Sequence, residues 1–259
     1  MKYLKTFEQK KPVKTLDIKR ENLKVLPDLP KSLEWLDFGW NQITEIPSLP
    51  NRLKVLLCND NFLTELPYLP NTLRYLMCCY NKITKLPDLP KNLETLNCKY
   101  NNLTELPKLP SKLKTLIVSE TDIELPSKLP KDLQHLSCNN INLKIFPNLP
   151  TTLLELNCGN NNLTELPELP DSIKRLYCND NNLTELPELK EGLKYLFCDN
   201  NNLSYLPKLP STIEILSCKK NNLPYSNLEE YKEYQIWWEK YGQHGISREE
   251  SDDIEGYNL

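Results

Sequence analysis

Leucine recurs along this chain at every twentieth position. The column Leu16, Leu36, Leu56, Leu76, Leu96, Leu116, Leu136, Leu156, Leu176, Leu196 and Leu216 has no exception, and the column three residues earlier is Leu or Ile from Leu33 to Ile213. Two residues after each leucine, from Leu36 on, stand Phe38, Cys58, Cys78, Cys98, Val118, Cys138, Cys158, Cys178, Cys198 and Cys218. Apolar positions two apart, with a variable residue between them, are the alternation of a short strand that buries one side. A fixed period of this length predicts a stack of equivalent turns, each a strand and a return leg, so the chain is a solenoid. An isolated turn of this size has too small a core to fold alone, and neighbouring turns must bury one another.

Three residues beyond the Cys column comes a polar one: Asn41, Asn61, Asn81, Asn101, Asn161, Asn181, Asn201 and Asn221. An asparagine pointing inward, its amide bonded to the backbone of its own and the adjacent turn, would satisfy the polar groups that a tight coil leaves unpaired. The text then runs through phrases such as LTELPELP, where prolines three apart hold an extended path and forbid a helix. Parallel strands about 4.8 Å apart make an inner sheet on the order of 50 Å long. Short crossovers between parallel strands predict a right-handed coil. The register breaks once, in TDIELPSKLP at residues 121–130, while the Cys and Asn columns fail at Val118, Thr121 and Ile141. A local irregularity of the outer wall is expected there, read as a slip rather than a hinge.

These columns divide the chain into an N-terminal cap at 1–12, an array of about eleven repeats at 13–223, a capping helix at 224–241 and an acidic tail at 242–259 that reads as flexible. Ser226-Asn227-Leu228-Glu229 has the S-x-x-E form of a capping box and predicts a helix starting at Asn227. Tyr231, Tyr234, Trp238 and Tyr241 then lie on one helical stripe, with Leu228 near its start, suited to closing the open end of the core.

Composition adds little beyond the period. The chain has 259 residues, 21 Pro, 6 Gly and a formal charge of −3. From Glu229 onward nine acidic residues face three basic ones, so the C-terminal end carries −6 and the remainder +3. No basic footprint for nucleic acid is present. Neither a signal-peptide run nor a membrane span is visible, which predicts a cytoplasmic protein.

Nine cysteines raise the question of disulfides or metal. Eight fill the inward column, where in-register strands keep Cβ atoms near 4.8 Å apart against the roughly 3.8 Å a bridge prefers. No CxxC pair occurs, and the reading is of buried free thiols acting as small apolar residues, with no metal and no cofactor. Cys79 falls one place beyond the column, at an outward position, and is the one candidate for a reactive thiol. His135 and His244 are too far apart in the chain to build a metal site together, and no nucleophile–base pattern or phosphate-binding Gly loop is present, so no catalytic residue is assigned.

The phrase LPxLPxxLxxLxCxxNxLTxL, carried with small changes from Leu26 to Leu223, resembles the bacterial class of leucine-rich repeats found in secreted Yersinia and Shigella effectors. Its LxCxxN strand is similar to leucine-rich-repeat proteins of mimivirus-type giant DNA viruses. The resemblance implies a curved solenoid with a parallel sheet on its concave face, a helix-free convex face and a protein partner. Ubiquitin-ligase activity in the Shigella class depends on a large C-terminal domain with its own Cys. Only some 36 residues without a Cys follow this array, so that activity is not expected.

The variable strand positions are where a partner would be read, because side chains flanking the inward leucine face the concave side. Repeats two to five offer Trp35, Trp40, Val55, Leu57, Tyr75, Met77, Tyr80 and Tyr100, and repeats nine to eleven offer Arg175, Tyr177, Tyr195, Phe197 and Ile215. Between them lie His135, Ser137, Asn139, Glu155 and Asn157. The expected function is a non-catalytic module that binds a protein across two apolar patches and a polar saddle, as an effector or adaptor. A structural, self-associating scaffold is the alternative, and a substrate-recognition part of a ubiquitin-ligase system is a weaker one. Neither nucleic acid nor membrane is an expected partner, and the chain is expected to be a monomer or to self-associate weakly.

Overall fold

The computed structural model describes residues 12–244, so the expected cap (1–12, apart from its last residue) and most of the acidic tail (242–259) lie outside the described residues. Eleven three-residue strands follow one another in order: β1 (Thr15–Asp17), β2 (Trp35–Asp37), β3 (Val55–Leu57), β4 (Tyr75–Met77), β5 (Thr95–Asn97), β6 (Thr115–Ile117), β7 (His135–Ser137), β8 (Glu155–Asn157), β9 (Arg175–Tyr177), β10 (Tyr195–Phe197) and β11 (Ile215–Ser217). They form one sheet in sequence order, every neighbouring pair parallel. The register is the 20-residue period itself: Leu36 pairs with Leu56, and Leu56 with Leu76.

Inward positions fill as the columns predict. Leu36, Leu56, Leu76 and the cysteines that follow them are fully buried in a single core that runs the length of the array. Strands β2 to β9 and β11 are entered by a tight turn in which the second proline of the pair accepts a hydrogen bond through its carbonyl, as from Leu73 N–H to Pro70 O at 2.9 Å, and at β10 Lys190 O takes the proline's place. The return leg carries neither helix nor named strand, consistent with its prolines.

The asparagine column forms a ladder from turn to turn. The Asn81 amide nitrogen donates to Cys58 O at 3.0 Å, Cys78 O at 3.1 Å and Cys79 O at 3.2 Å, and its oxygen accepts from Leu63 N–H at 3.0 Å. Asn61, Asn101, Asn161, Asn181 and Asn201 repeat this arrangement. Each side chain ties two turns together at the point where the chain leaves the sheet. The ladder is interrupted where the columns fail. Thr121 reaches only Val118 O in its own turn, at 2.5 Å, and Ile141 has no polar atoms to offer the preceding turn.

All nine cysteines are free and buried. Burial raises their thiol pKa values, to about 12 for Cys98 and Cys218. The Cys98 thiol donates to Ile117 O at 3.7 Å and Cys58 to Met77 O at 3.4 Å, so the column also weakly bridges turns. Cys79 corrects the expectation of a reactive thiol: only 7% of it is exposed, its Sγ donates to Asn59 Oδ1 at 3.0 Å, and burial pushes its pKa up to about 11. At about pH 8 the native protein is expected to leave all nine thiols unmodified by Ellman's reagent on the minute scale, and to release nine equivalents in guanidinium. Rapid colour from the native state would show that the turns open readily.

At the C-terminal end the helix α1 spans Leu228–Lys240, shorter than the expected 224–241. The capping box sits one residue later than its S-x-x-E text suggests. Asn227 is the cap, its side-chain oxygen accepting from Glu229 and Glu230 N–H at 3.0 Å each, and its amide nitrogen reaches Glu230 Oε1 at 2.8 Å. Ser226 instead donates its N–H and hydroxyl to Glu230, both at 2.7 Å. Asparagine and serine are equally good caps, and each has a glutamate three residues on, Glu229 for Ser226 and Glu230 for Asn227; Asn227 is the cap because it is Glu230 that turns back, its carboxylate accepting from both Ser226 and Asn227. Leu228, Tyr231 and Tyr234 pack on the core and Tyr241 is buried, whereas Trp238 is half exposed, so the stripe covers the core chiefly with its first two turns.

Candidate concave binding surface

Each strand presents two side chains, one on either side of its buried leucine. In-register pairing sets them in columns, each residue about 4.8 Å from the next. In the first column Trp35 stands beside Val55, and Val55 beside Tyr75; in the second, Leu57 stands beside Met77. These five make the first apolar patch. It is bounded in the second column by Asp37 and Asn97, both buried against neighbours, and Asp37 accepts from Gly39 N–H at 3.0 Å.

Trp40, Tyr80 and Tyr100, expected on this patch from their spacing, do not lie on strands. They occupy the position just before the inward asparagine, where every turn has a positive φ: 54° at Trp40 and Tyr80, 52° at Tyr100. The left-handed conformation costs a non-glycine residue about 1 to 2 kcal/mol and is best tolerated by Asn or Asp. Asp60, Asn140, Asn160, Asp180 and Asn200 fill the same position elsewhere. Three large aromatics therefore stand where the backbone favours a small polar residue. All three are exposed by more than 40%. Tyr80 and Tyr100 stack with ring centroids 4.4 Å apart and planes 15° from parallel, with the Lys99 ammonium 5.4 and 5.6 Å from the two rings. The Arg20 guanidinium lies 4.8 Å from the Trp40 ring. The sequence locates these residues but not their conformation; the signal for it is that five of the eight other turns carry Asn or Asp in this column.

Along β7 to β10 the first column becomes a chain of polar contacts between adjacent strands. His135 Nδ1 is 3.4 Å from Glu155 Oε2, and Arg175 Nη1 is 3.6 Å from the same oxygen. The Arg175 guanidinium in turn lies 5.4 Å from the Tyr195 ring, and Tyr195 donates its hydroxyl proton to Glu214 Oε2 at 2.9 Å. The Lys194 ammonium and then the Tyr195 hydroxyl hold the Glu214 carboxyl below its usual range, while Glu214 pushes the Tyr195 phenol up. Ser137 donates to Asn139 Oδ1 at 3.1 Å and lies 2.9 Å from the Ser119 hydroxyl. The expected saddle of His135, Ser137, Asn139, Glu155 and Asn157 is thus largely paired with itself and presents few unmet hydrogen-bonding groups.

Tyr177 and Phe197, neighbours in the second column, stack at 5.0 Å and 11°. They form one wall of a shallow depression of about 460 Å³, closed by Asn179, Asp180, Asp199, Asn200, Lys219 and Lys220. Ile215 is exposed at the end of the first column. Hydrogen bonds from Asn179 and Asn200 keep the Asp180 carboxyl below its usual range.

Among the described residues no group of three or more His, Cys, Asp or Glu side chains is placed to hold a metal ion. Nor is any of their helices long and apolar enough to cross a membrane. What this surface can do chemically is recognition: rigid columns of aromatic, aliphatic and paired polar groups whose identity changes from turn to turn.

A family model for the Leucine Rich Repeat matches residues 92–113. No curated protein matches the chain at the level of sequence. Among solved structures, YopM of Yersinia enterocolitica WA-314 is 40% identical with a TM-score of 0.78, over 83% of this chain and 48% of that one. YopM from Yersinia pestis, described as a leucine-rich effector protein, is 36% identical with a TM-score of 0.71, over 81% and 65%. A Shigella effector leucine-rich-repeat domain is 30% identical with a TM-score of 0.50, over 65% of this chain and 70% of that domain. The chain spans about half the length of the first of these and about two thirds of the second. With its eleven in-register strands, its asparagine ladder and these relatives, the chain belongs to the leucine-rich repeat family.

Proposed function

We propose that this chain is a non-catalytic protein-binding module that engages one protein partner across its concave sheet. The carrying observation is the set of exposed aromatics in a strained position: Trp40, Tyr80 and Tyr100 hold a left-handed backbone that five of the eight other turns give to Asn or Asp and the rest to Arg20, Glu120 and Lys220, so no other turn places an aromatic there. Strain retained in the company of exposed apolar surface is a feature of recognition sites. The first patch, Trp35, Val55, Leu57, Tyr75 and Met77 with these three at its edge, supplies most of the affinity. Tyr177, Tyr195, Phe197 and Ile215 with Arg175 form a second anchor, and the self-paired saddle at His135 and Glu155 costs little to cover. An extended or helical protein surface fits such a strip.

Similarity to proteins described as effectors supports an effector or adaptor that acts on a host protein, of bacterial origin or, as the Cys variant of the strand suggests, viral. Nine free thiols fit a reducing compartment, so the proposal places binding in the cytoplasm.

The test is affinity capture from host lysate with the full chain as bait. Two hot-spot aromatics are worth about 2 kcal/mol each or more, so Trp35→Ala with Tyr75→Ala is expected to weaken capture of the principal partner by a factor on the order of 100 or more. Thermal unfolding of the double variant should stay cooperative. An unchanged set of captured proteins would sink the proposal.

A further inference from the structure

The convex face carries a second feature that the concave reading does not use. Where the chain leads into β5, β6 and β7, the outer wall opens into a groove of about 1090 Å³. Its floor is Leu89, Leu106, Leu109 and Leu129 with their neighbouring prolines. Most corresponding leucines in regular turns, such as Leu66, Leu69, Leu166, Leu169 and Leu186, are buried, with single partly covered ones at Leu29, Leu149 and Leu206, whereas around the slip Leu89, Leu106, Leu109, Leu125 and Leu129 are partly covered together. The cause is the register slip. Leu125 arrives one residue early, so Pro126 stands where the period calls for a buried leucine, and the wall no longer closes over the turns on either side. Apolar side chains left partly wet in this way gain free energy from any surface that covers them.

The rim is strongly one-signed. Lys91, Lys108, Lys112, Lys128 and Lys131 line the groove against a single carboxylate, Asp88, a net of five minus one, or +4. Glu105 and Glu124 stand on the same return legs without lining the groove, and Glu105 pairs with Lys85 at 3.4 Å. Among the described residues, none of the five lysines makes an ion pair. Lysines elsewhere do: Lys54 with Glu34 at 2.6 Å, Lys114 with Glu94 at 3.1 Å and Lys194 with Glu214 at 2.6 Å. The same wall four turns further on is of mixed sign, with Asp171, Glu188 and Glu191 against Lys190 and Lys208 around a smaller depression, a net of −1. A cluster of like charges held around an apolar floor repels itself and is relieved by an occupant of opposite charge.

We propose that this groove is a second binding site, independent of the concave surface, and that it takes an acidic, extended peptide segment of a partner protein with one or two bulky apolar side chains. The apolar residues cover the leucine floor, and the flanking carboxylates meet the lysines. The apolar floor favours a peptide over a polyanion such as nucleic acid, whose phosphates would use the lysines and leave the leucines wet.

The experiment is a selection of random peptides displayed on phage against the full chain, followed by fluorescence anisotropy with a synthetic copy of the enriched sequence. The expected winners combine several Asp or Glu with Leu, Phe or Trp and bind with a Kd of roughly 1 to 50 µM at low salt, more weakly as salt rises. Lys108→Glu with Lys128→Glu, both exposed and checked for an unchanged melt, should weaken that peptide at least about tenfold, while Trp35→Ala with Tyr75→Ala should leave it unaffected. Failure to enrich acidic peptides overturns the proposal, as does binding that survives the lysine reversals or is lost with the concave variant. Lysine-dependent binding of heparin or phosphatidylserine vesicles without acidic-peptide enrichment overturns it in favour of a polyanion or lipid site. A dimer in light scattering that the lysine reversals dissolve overturns it in favour of a second copy as the occupant.

Discussion

Replacing Asn101 by alanine is expected to lower the free energy of unfolding by about 3 to 5 kcal/mol, more than a typical surface substitution by several fold. The Asn101 amide nitrogen donates to Cys78 O at 3.0 Å, Cys98 O at 3.0 Å and Lys99 O at 3.3 Å, and its oxygen accepts from Ile83 N–H at 2.9 Å. Alanine leaves Ile83 N–H and Cys98 O without a partner, whereas Cys78 O keeps the Asn81 amide at 3.1 Å and Lys99 O keeps Tyr80 N–H at 3.1 Å. Each such group costs about 1 to 3 kcal/mol. Asn101→Asp keeps the acceptor but turns a donor towards three carbonyls into a carboxylate, so it should be at least as damaging. Guanidinium unfolding followed by circular dichroism gives the total. Hydrogen exchange gives the place, with protection falling first at the Ile83 amide. A loss below about 1 kcal/mol would mean that the ladder is ornamental and that the sheet alone holds the turns in register.

Tyr225→Ala carries the second largest expected effect, about 3 kcal/mol, and should uncouple α1 from the array. Tyr225 is buried at the end of the core, its ring meeting Tyr231 edge-on at 5.1 Å and Tyr234 at 5.3 Å. A solenoid end without such a cover exposes the last turn's apolar side to water. The expected signature is loss of protection in α1 and in β10 and β11, with the turns around β3 to β5 unchanged, because each turn touches only its neighbours. Uniform loss of protection along the whole array would contradict this quasi-linear picture. Retained protection in α1 would show that the helix holds to the core through Leu228, Tyr231 and Tyr234 alone.

Much of the fold could be read from the columns. The strand positions, the order of the sheet, the inward Leu and Cys side chains and the bonding role of Asn61, Asn81, Asn101, Asn161, Asn181 and Asn201 all follow from a 20-residue period in which equivalent residues must meet equivalent surroundings. The end of the array is legible as a helix, but the S-x-x-E text points to a cap one residue early, because Ser226 and Asn227 are equally good caps with a glutamate three residues on, and only the direction in which Glu230 turns separates them. For the concave face the strand residues Trp35, Val55, Tyr75 and Tyr195 could be located by alternation. The left-handed position of Trp40, Tyr80 and Tyr100 could not, since alternation ends with the strand and their side chains alone predict no positive φ.

A repeat makes long-range structure local: once one turn is known, every neighbour is one period away, so sequence alone sufficed for the sheet, the core and the asparagine ladder. It said nothing definite about what happens where the period fails. The missing ladder rungs at Thr121 and Ile141, the burial of Cys79, the self-pairing of His135, Glu155, Arg175 and Tyr195 and the opening of a lysine-rimmed groove were decided by the tertiary structure. The physical reason is that each depends on distances between side chains of different turns, which a column of letters orders but does not measure.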